Sequence, residues 1–593
     1  MSSDMVPPDP APRPDPSAAR AGTEAGSVPT EPVRAMTQAR APRGSRTRWA
    51  IASLVTALVL VTSTAGFVML SAGAATSTLV GYVPAGSVGY LEVRLDAPGD
   101  QRQNAANLLS HFPGFADQST LGMKLDEALD QVVGRASGGT QTFTGNVRGW
   151  LGDSLAVAMT HLPAHAMTGT SAAAPRSRSG LLLVSVRDAA AAGAWAETTF
   201  GPATGSETYG GVALSTVAYR GSTVAYGVVT NVLLAGDPGS VHEAIDTKGK
   251  ATFAESASFT AAAAAVPGDR IAFGYLDLRA VTDAAVTAHP SASPATLGPD
   301  QIPAWIAVSV RAESDSLSAT VVLPQTNLAP VTANHTSVLA TKLPPTTVAA
   351  AEIHDLASIL GLLTTTLRDN AGTQSGEDQI DQALKALGGI DALVGWMGDT
   401  SVAVIRTQGS FDMALGLVIQ AKDADAASTK LLQLKNLVSL VGGASGVSIS
   451  DETYNGATIT VVDVGEVSGL TGQALPGVAP GAHLQLAVAQ KGDIVIAGIG
   501  DAFVKAVLDT RPGASLADRD IYRDAMGQAG SSNTGQLFVD LGTVIDLVAT
   551  RMPADDLKRF QADVKPYLAP LRAFAASASA GDPSRIRIVV TVK

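Results

Sequence analysis

Apolar positions along this chain fall into two kinds of pattern. One is a single uninterrupted run, Trp49–Leu70 (WAIASLVTALVLVTSTAGFVML), 22 residues without a charge. The others are short runs of about four to eight residues, with period two or apolar throughout, which read as strands. In the first half of the chain these are Val88–Val93, Leu155–Met159, Leu181–Val186, Thr223–Val229, Val232–Ala235, Ile271–Leu276 and Ala319–Leu323. Helical spacing lies between some of them. Met123–Val133 places Leu125, Ala128, Leu129, Val132 and Val133 on one face. Asp188 precedes AAAAGAWAETTF and is placed to cap its first turn. Strands arriving in runs with helices between them predict an α+β fold, with a mainly antiparallel sheet and helices on one face.

The long run predicts something different. Twenty-two residues of helix reach roughly 33 Å, enough to cross a bilayer core of about 30 Å. Arg43, Arg46 and Arg48 directly precede it, and no Lys or Arg follows until Arg94. Positive residues stay in the cytoplasm. The expectation is a single-pass protein of the cell membrane: residues 1–48 inside, a transmembrane helix over 49–71, and the rest extracytoplasmic. The lipid bilayer is then one partner, met through Trp49 to Leu70. A cleaved secretory signal is the alternative, with Ser71-Ala72-Gly73-Ala74-Ala75 as the small-residue site. Against it, signal cores run about 7–15 residues behind a short basic start. Residues 1–48 include PPDPAPRPDP and almost no large apolar side chains, so they read as a disordered tail.

Beyond the long run the pattern is written twice. Gly149-Trp150-Leu151-Gly152-Asp153-Ser154 precedes one apolar strand, and Gly395-Trp396-Met397-Gly398-Asp399-Thr400 precedes another. Around this pair the order also matches. VPAGSVGYLEV, containing Glu92, answers LPPTTVAAAEI, containing Glu352; LDEAL at 125–129 answers IDQAL at 380–384. VRD at 186–188 answers AKD at 421–423, and YGGVAL at 209–214 answers YNGATI at 454–459. VLLAG at 232–236 answers IVIAG at 494–498, with helix-like stretches after them ending in Asp246 and Asp509. YLDL, with Asp277, answers FVDL, with Asp540, and the closing strand SATVVL at 318–323 answers IVVTV at 588–592. Eight matches in one order predict a tandem duplication: repeat one over 77–325 and repeat two over 337–593. Insertions are expected near His161–Ser179 and Gly469–Ala482, as surface loops.

Composition narrows the chemistry. The chain has no cysteine, so disulfides, thiolate metal sites and cysteine nucleophiles are excluded. Beyond residue 48, 34 basic residues stand against 48 acidic ones with no basic stripe, which argues against nucleic acid. Aromatic residues are 5% of the chain, a poor basis for a sugar-stacking surface.

The acids of the repeated motifs are the candidate chemistry. Asp153 and Asp399 could form a carboxylate dyad across the repeats. The structural reading is a turn, with Gly at positive φ, Asp bonding the following backbone and Trp packed beneath. Asp277 and Asp540 could be buried acids of shifted pKa or helix caps; Glu92 and Glu352 carry the same ambiguity. His161 and His165 have metal spacing, but Pro163 between them spoils a helix. No HExxH, G-x-S-x-G or P-loop pattern occurs. No catalytic residue, metal ligand or cofactor is assigned.

Val83-Pro84-Ala85, Tyr90-Leu91-Glu92-Val93, Phe112-Pro113-Gly114-Phe115 and Trp150-Leu151-Gly152-Asp153 follow the apolar run in that order. This order resembles the bacterial family called domain of unknown function 3352, over nearly all of residues 77–593. That family has no established activity, so the resemblance implies only a membrane-anchored envelope protein. The expected function is a non-catalytic binding or scaffolding module of the cell envelope. Its ligand would be an envelope protein, a lipid or a cell-wall component. A lipid carrier with a cavity between sheet and helices, or a hydrolase using the repeated acids, are the alternatives.

Overall fold

A computed structural model describes residues 78–95, 98–115, 117, 121–162, 179–219, 221–250, 252–288, 301–326, 333–358, 360, 394–407, 413–442, 447–466 and 481–593. The run Trp49–Leu70, the tail before it and IDQAL at 380–384 lie outside the described residues. Among the described residues no helix is long and apolar enough to cross a membrane.

The fold is α+β around a sheet of 20 strands among the described residues. The first half supplies β1 Gly89–Arg94, β2 Leu151–Met159, β3 Gly180–Val186, β4 Gly205–Tyr209, β5 Val212–Tyr219, β6 Ser222–Val229, β7 Val232–Gly236, β8 Ala272–Asp277, β9 Trp305–Ala312 and β10 Ser316–Leu323. The second supplies β11 Thr347–Ile353, β12 Met397–Arg406, β13 Met413–Ala421, β14 Ser448–Tyr454, β15 Ala457–Glu466, β16 His483–Lys491, β17 Ile494–Ile499, β18 Gly535–Asp540, β19 Leu571–Ser579 and β20 Ser584–Val592. All pairings between these strands are antiparallel. In the first half the spatial order is β4-β5-β6-β7-β3-β2-β1-β8-β9-β10. In the second it is β14-β15-β16-β17-β13-β12-β11-β18-β19-β20. Each strand of the second half thus sits where its counterpart sits in the first. The halves meet where β10 pairs with β20, Ser316 opposite Thr591 and Leu323 opposite Ser584.

Five of the seven strand runs read from the sequence are present and lengthened by up to four residues at an end, and Val88–Val93 and Ile271–Leu276 are present shifted by one residue. Asp188 does cap helix Ala189–Phe200, accepting from the Ala191 N–H at 3.0 Å. The expectation of helices on one face is corrected. In β3, Leu181 and Leu183 join a core with Val241 and Phe259, while Val184 and Val186 join another with Trp150 and Ala192. Helix Pro238–Asp246 covers the first face and helix Ala189–Phe200 the second. The same holds in the second half, where Phe503 and Tyr522 pack on one face and Trp396 and Ala427 on the other. The cause is visible in LLLVSV and VLLAG, which are apolar on both sides. A strand buried on both faces reads as a continuous run and needs cover on both.

Candidate functional site

The Trp-x-Gly-Asp motifs lie at irregular points in the pairing of β2 with β3 and of β12 with β13. Gly149-Trp150 and Gly395-Trp396 lie in turns that lead into the strands, and Gly152-Asp153 and Gly398-Asp399 lie in the strands where the register shifts. Neither Gly152 nor Gly398 has a positive φ. Gly is needed because a Cβ on Gly152 would lie 2.7 Å from the Ser185 carbonyl, and one on Gly398 would lie 2.7 Å from that of Gln420. Gly149 has open space at its Cβ direction. Trp150 is buried against Trp195, with ring centroids 4.9 Å apart, and its indole N–H donates to the Asn146 carbonyl at 2.7 Å. Trp396 is buried likewise. Asp153 accepts from the hydroxyls of Ser185 at 2.8 Å and Ser154 at 3.0 Å, so its partners are side chains and not the following backbone.

Asp277 and Asp540 both end strands and cap helices. Asp277 accepts from the Ala280 N–H, and Asp540 from the Thr543 N–H, each at 2.9 Å. Asp540 also pairs with Arg519 at 2.6 Å. His161 lies 3.7 Å from Glu243, and His165 is outside the described residues.

Both glutamates are buried, as Asp540 is, but neither caps a helix. Glu92 in β1 accepts from the Tyr90 hydroxyl at 3.0 Å. It lines a small cavity of about 160 Å³ together with Arg94, Phe259, Arg270 and Phe273. Arg270 lies over the Phe273 ring at 4.3 Å. Two guanidinium groups therefore share the space of one buried carboxylate.

Glu352, its counterpart in β11, is 3% exposed. Its Oε2 accepts from Ser337 at 2.5 Å and from Gln536 at 3.1 Å; its Oε1 has no hydrogen-bond partner among the described residues. His354, two residues on, is fully buried on the same side of the strand. Its Nδ1 is 3.0 Å from Asp399 Oδ2 and 3.6 Å from Glu352 Oε1, in neither case directed as a hydrogen bond. His335 enters from a short ladder in which His335–Thr336 pairs with Ser532–Asn533. Its Nε2 is 3.6 Å from Asp399 Oδ1, and its ring centroid is 3.8 Å from that of His354. Asp355 takes φ 51°, a left-handed conformation that Asp tolerates, and its N–H reaches Asp399 Oδ1 at 3.2 Å.

Burial pushes the Glu352 carboxyl above its ordinary range, and the Ser337 hydroxyl, His354 and Gln536 only partly offset this. Burial also opposes charge on His354 and on Asp399. Their mutual attraction outweighs it, so His354 is held above its usual value and Asp399 below. One donor atom each from His335, His354 and Asp399 falls within 4.8 Å of the others.

Of the residues singled out in the sequence, Glu352 and Asp399 come together here. Asp153, Asp277 and Asp540 do not join them. His335 and His354 were passed over. The available signal was Glu352-Ile353-His354, where period two puts both polar groups on one face of an otherwise apolar strand.

The arrangement is that of an antiparallel α+β protein with a buried polar cluster in its second half. The chain belongs to the family described as "Protein of unknown function (DUF3352)", whose model matches residues 106–593. No curated protein matches it. Among solved structures, crystal form I of TP0453 aligns at 10% identity and a TM-score of 0.20, covering 43% of this chain and 81% of that one. Crystal form III of TP0453 aligns at 11% identity and a TM-score of 0.20, covering 43% and 82%. A likeness of that degree carries no functional argument.

Proposed function

We propose that this chain is a non-catalytic binding module of the cell envelope, tethered by Trp49–Leu70 and built by duplication of one α+β repeat. The observation that carries the non-catalytic reading is how the repeated acids are used. Asp277 and Asp540 cap helices, and Asp153 is held by two serine hydroxyls. A general acid or base must instead face the proton it moves. The anchor rests on the length of the apolar run and the arginines before it.

A lipid-handling role is the second reading, favoured by large apolar side chains left exposed on the sheet. These are Leu91, Val157 and Met159 in the first half and Val402, Leu415 and Leu537 in the second. Contiguous exposed apolar surface marks an interaction site.

Fractionation tests the main reading. The full chain should sediment with membranes, resist extraction by high salt and alkaline carbonate, and enter mild detergent. Protease added to spheroplasts should digest residues 78–593. Release by salt alone would overturn the tether. A hydrolase activity of the purified chain, abolished by D153N or D540N, would overturn the non-catalytic reading. Stoichiometric lipid in the detergent-purified protein, read by mass spectrometry, would promote the second reading over the first.

A further inference from the structure

We propose that His335, His354 and Asp399, with Glu352 beside them, bind a divalent transition-metal ion, zinc being the best match to these donors. Such a site is additional to the binding-module reading and independent of it.

The first support is a difference between the halves at one place in the fold. The Arg94 N–H bonds the Ile271 carbonyl at 2.8 Å, and the His354 N–H bonds the Thr534 carbonyl at 3.1 Å. Arg94 therefore corresponds to His354. The residues before the two acceptors, Arg270 and Asn533, correspond as well. Around Glu92 the first half supplies two permanent cations. Around Glu352 the second half supplies an imidazole and a neutral amide, and the carboxylate of Asp399 meets His354 and His335, whereas its counterpart Asp153 is held by Ser185 and Ser154. A buried carboxylate is costly unless it is paired. The second half has removed the built-in cations and gathered ligands instead.

The second support is ligand geometry. The Asn533 amide N donates to the Gly530 carbonyl at 2.9 Å and to Gln536 Oε1 at 3.3 Å. Its Oδ1 is thereby turned to His354 Nε2, 3.2 Å away. Nε2 then carries a proton toward Asn533, and an ion at the site would replace the proton at Nδ1, which faces Asp399. A metal-bound histidine commonly has its second nitrogen fixed in this way. Bonds of about 2.0–2.1 Å in a tetrahedral site hold donor atoms roughly 3.3 Å apart. The separations here are 3.0 Å from His354 Nδ1 to Asp399 Oδ2 and 3.6 Å from His335 Nε2 to the other oxygen, Oδ1, and one donor atom from each of the three residues lies within 4.8 Å of the others, so binding would draw the set together.

The third support is the unpartnered Oε1 of Glu352, 97% buried as a residue and 3.6 Å from the same Nδ1. It offers a fourth donor. Imidazole with carboxylate selects zinc, cobalt or nickel over magnesium and calcium. His335 is the exposed member of the set, which gives the ion its route from solvent.

The test uses the full chain in mild detergent, stripped with a chelator and titrated with Zn²⁺. Calorimetry and elemental analysis should find one zinc per chain. H335A removes an exposed ligand and should leave the fold intact by circular dichroism while weakening binding about 10–100-fold. D399N should weaken it at least as much. H354R restores the residue of the first half and should abolish binding; should H354R fail to fold, H335A alone decides. Co²⁺ should give the visible absorption of a four-coordinate site in the wild type and lose it in H335A. Absence of zinc binding by the wild type, or equal binding by wild type and H335A, would overturn the proposal. So would a preference for Mg²⁺ or Ca²⁺ over Zn²⁺. His354 would then be an imidazolium that balances the two carboxylates.

Discussion

At Gly152 the difference between what a residue type suggests and what its neighbours demand is measurable. Glycine in a Trp-x-Gly-Asp sequence invites a turn reading. The position is extended, and what forbids a side chain is the backbone of the adjacent strand at Ser185. G152A should therefore destabilise by about 1–3 kcal/mol through overpacking. G149A, facing open space, should fall within about 0.5 kcal/mol of the wild type. Urea melts of both variants check this, and equal midpoints would refute it. Asp277 and Asp540 make a second pair. D277A loses a cap and should cost about 1 kcal/mol. D540A also leaves Arg519, 26% exposed at its side chain, without its ion-pair partner, and should cost more than D277A in the same assay. Caps were legible because they are local: an acid, a strand before it and a helix after it. The cluster around Glu352 was not. His335, His354, Asp399 and Asn533 come from four separate segments, and only the pairing of β11, β12, β18 and the short ladder brings them together.

Among the elements, the hairpins were the most legible. Tyr209-Gly210-Gly211 and Tyr454-Asn455-Gly456 were matched as sequence. Both join paired strands, with φ of 55° and 84° in the first and 47° and 77° in the second. Positive φ at two successive residues is the hairpin turn that matches strand twist. The tyrosines then reach the ends of the helices also matched in the sequence: Tyr209 donates to Asp246 at 2.8 Å and Tyr454 to Asp509 at 2.7 Å. Asn455 is the weaker of the turn residues. N455V should cost about 1–2 kcal/mol more than N455G: both lose the amide's bonds to the Leu508 carbonyl at 2.9 Å and to Asp509 at 3.3 Å, and only the branched side chain also resists the left-handed region. Thermal midpoints should rank N455V below N455G. Strands β4, β5 and β9 were not read as strands. β4 is GSETY, polar and exposed at four of its five positions, so no apolar pattern marks it. Its pairing with β5 is made by the turn.

For the whole molecule, the question is whether the two halves, whose strands follow one order, are beads on a string. Described residues from both halves fall in one compact unit. β10 and β20 are counterparts, and they pair with each other, so the edge strand of each repeat covers the edge of the other. An edge strand exposes unpaired backbone groups that invite foreign strands. Here the copy supplies the partner. Other contacts cross the same seam: the Ser316 hydroxyl donates to Gln528 at 2.5 Å, and the Val592 N–H bonds the Asp315 carbonyl at 2.8 Å. None of this could be read from the sequence, because SATVVL and IVVTV look alike whether they pair with each other or with neighbours in their own half. The consequence is thermodynamic. If the seam couples the halves, the wild-type chain should melt in one calorimetric transition, with van't Hoff and calorimetric enthalpies in agreement. Thr320 lies in β10 between Ser309 of β9 and Arg587 of β20. T320P places a ring without an N–H in the middle of the sheet, at a cost of about 3 kcal/mol or more. It should split the single endotherm into two, with the second half still melting near the wild-type midpoint. Two transitions already present in the wild type would mean that the seam joins the halves in space without coupling their stability.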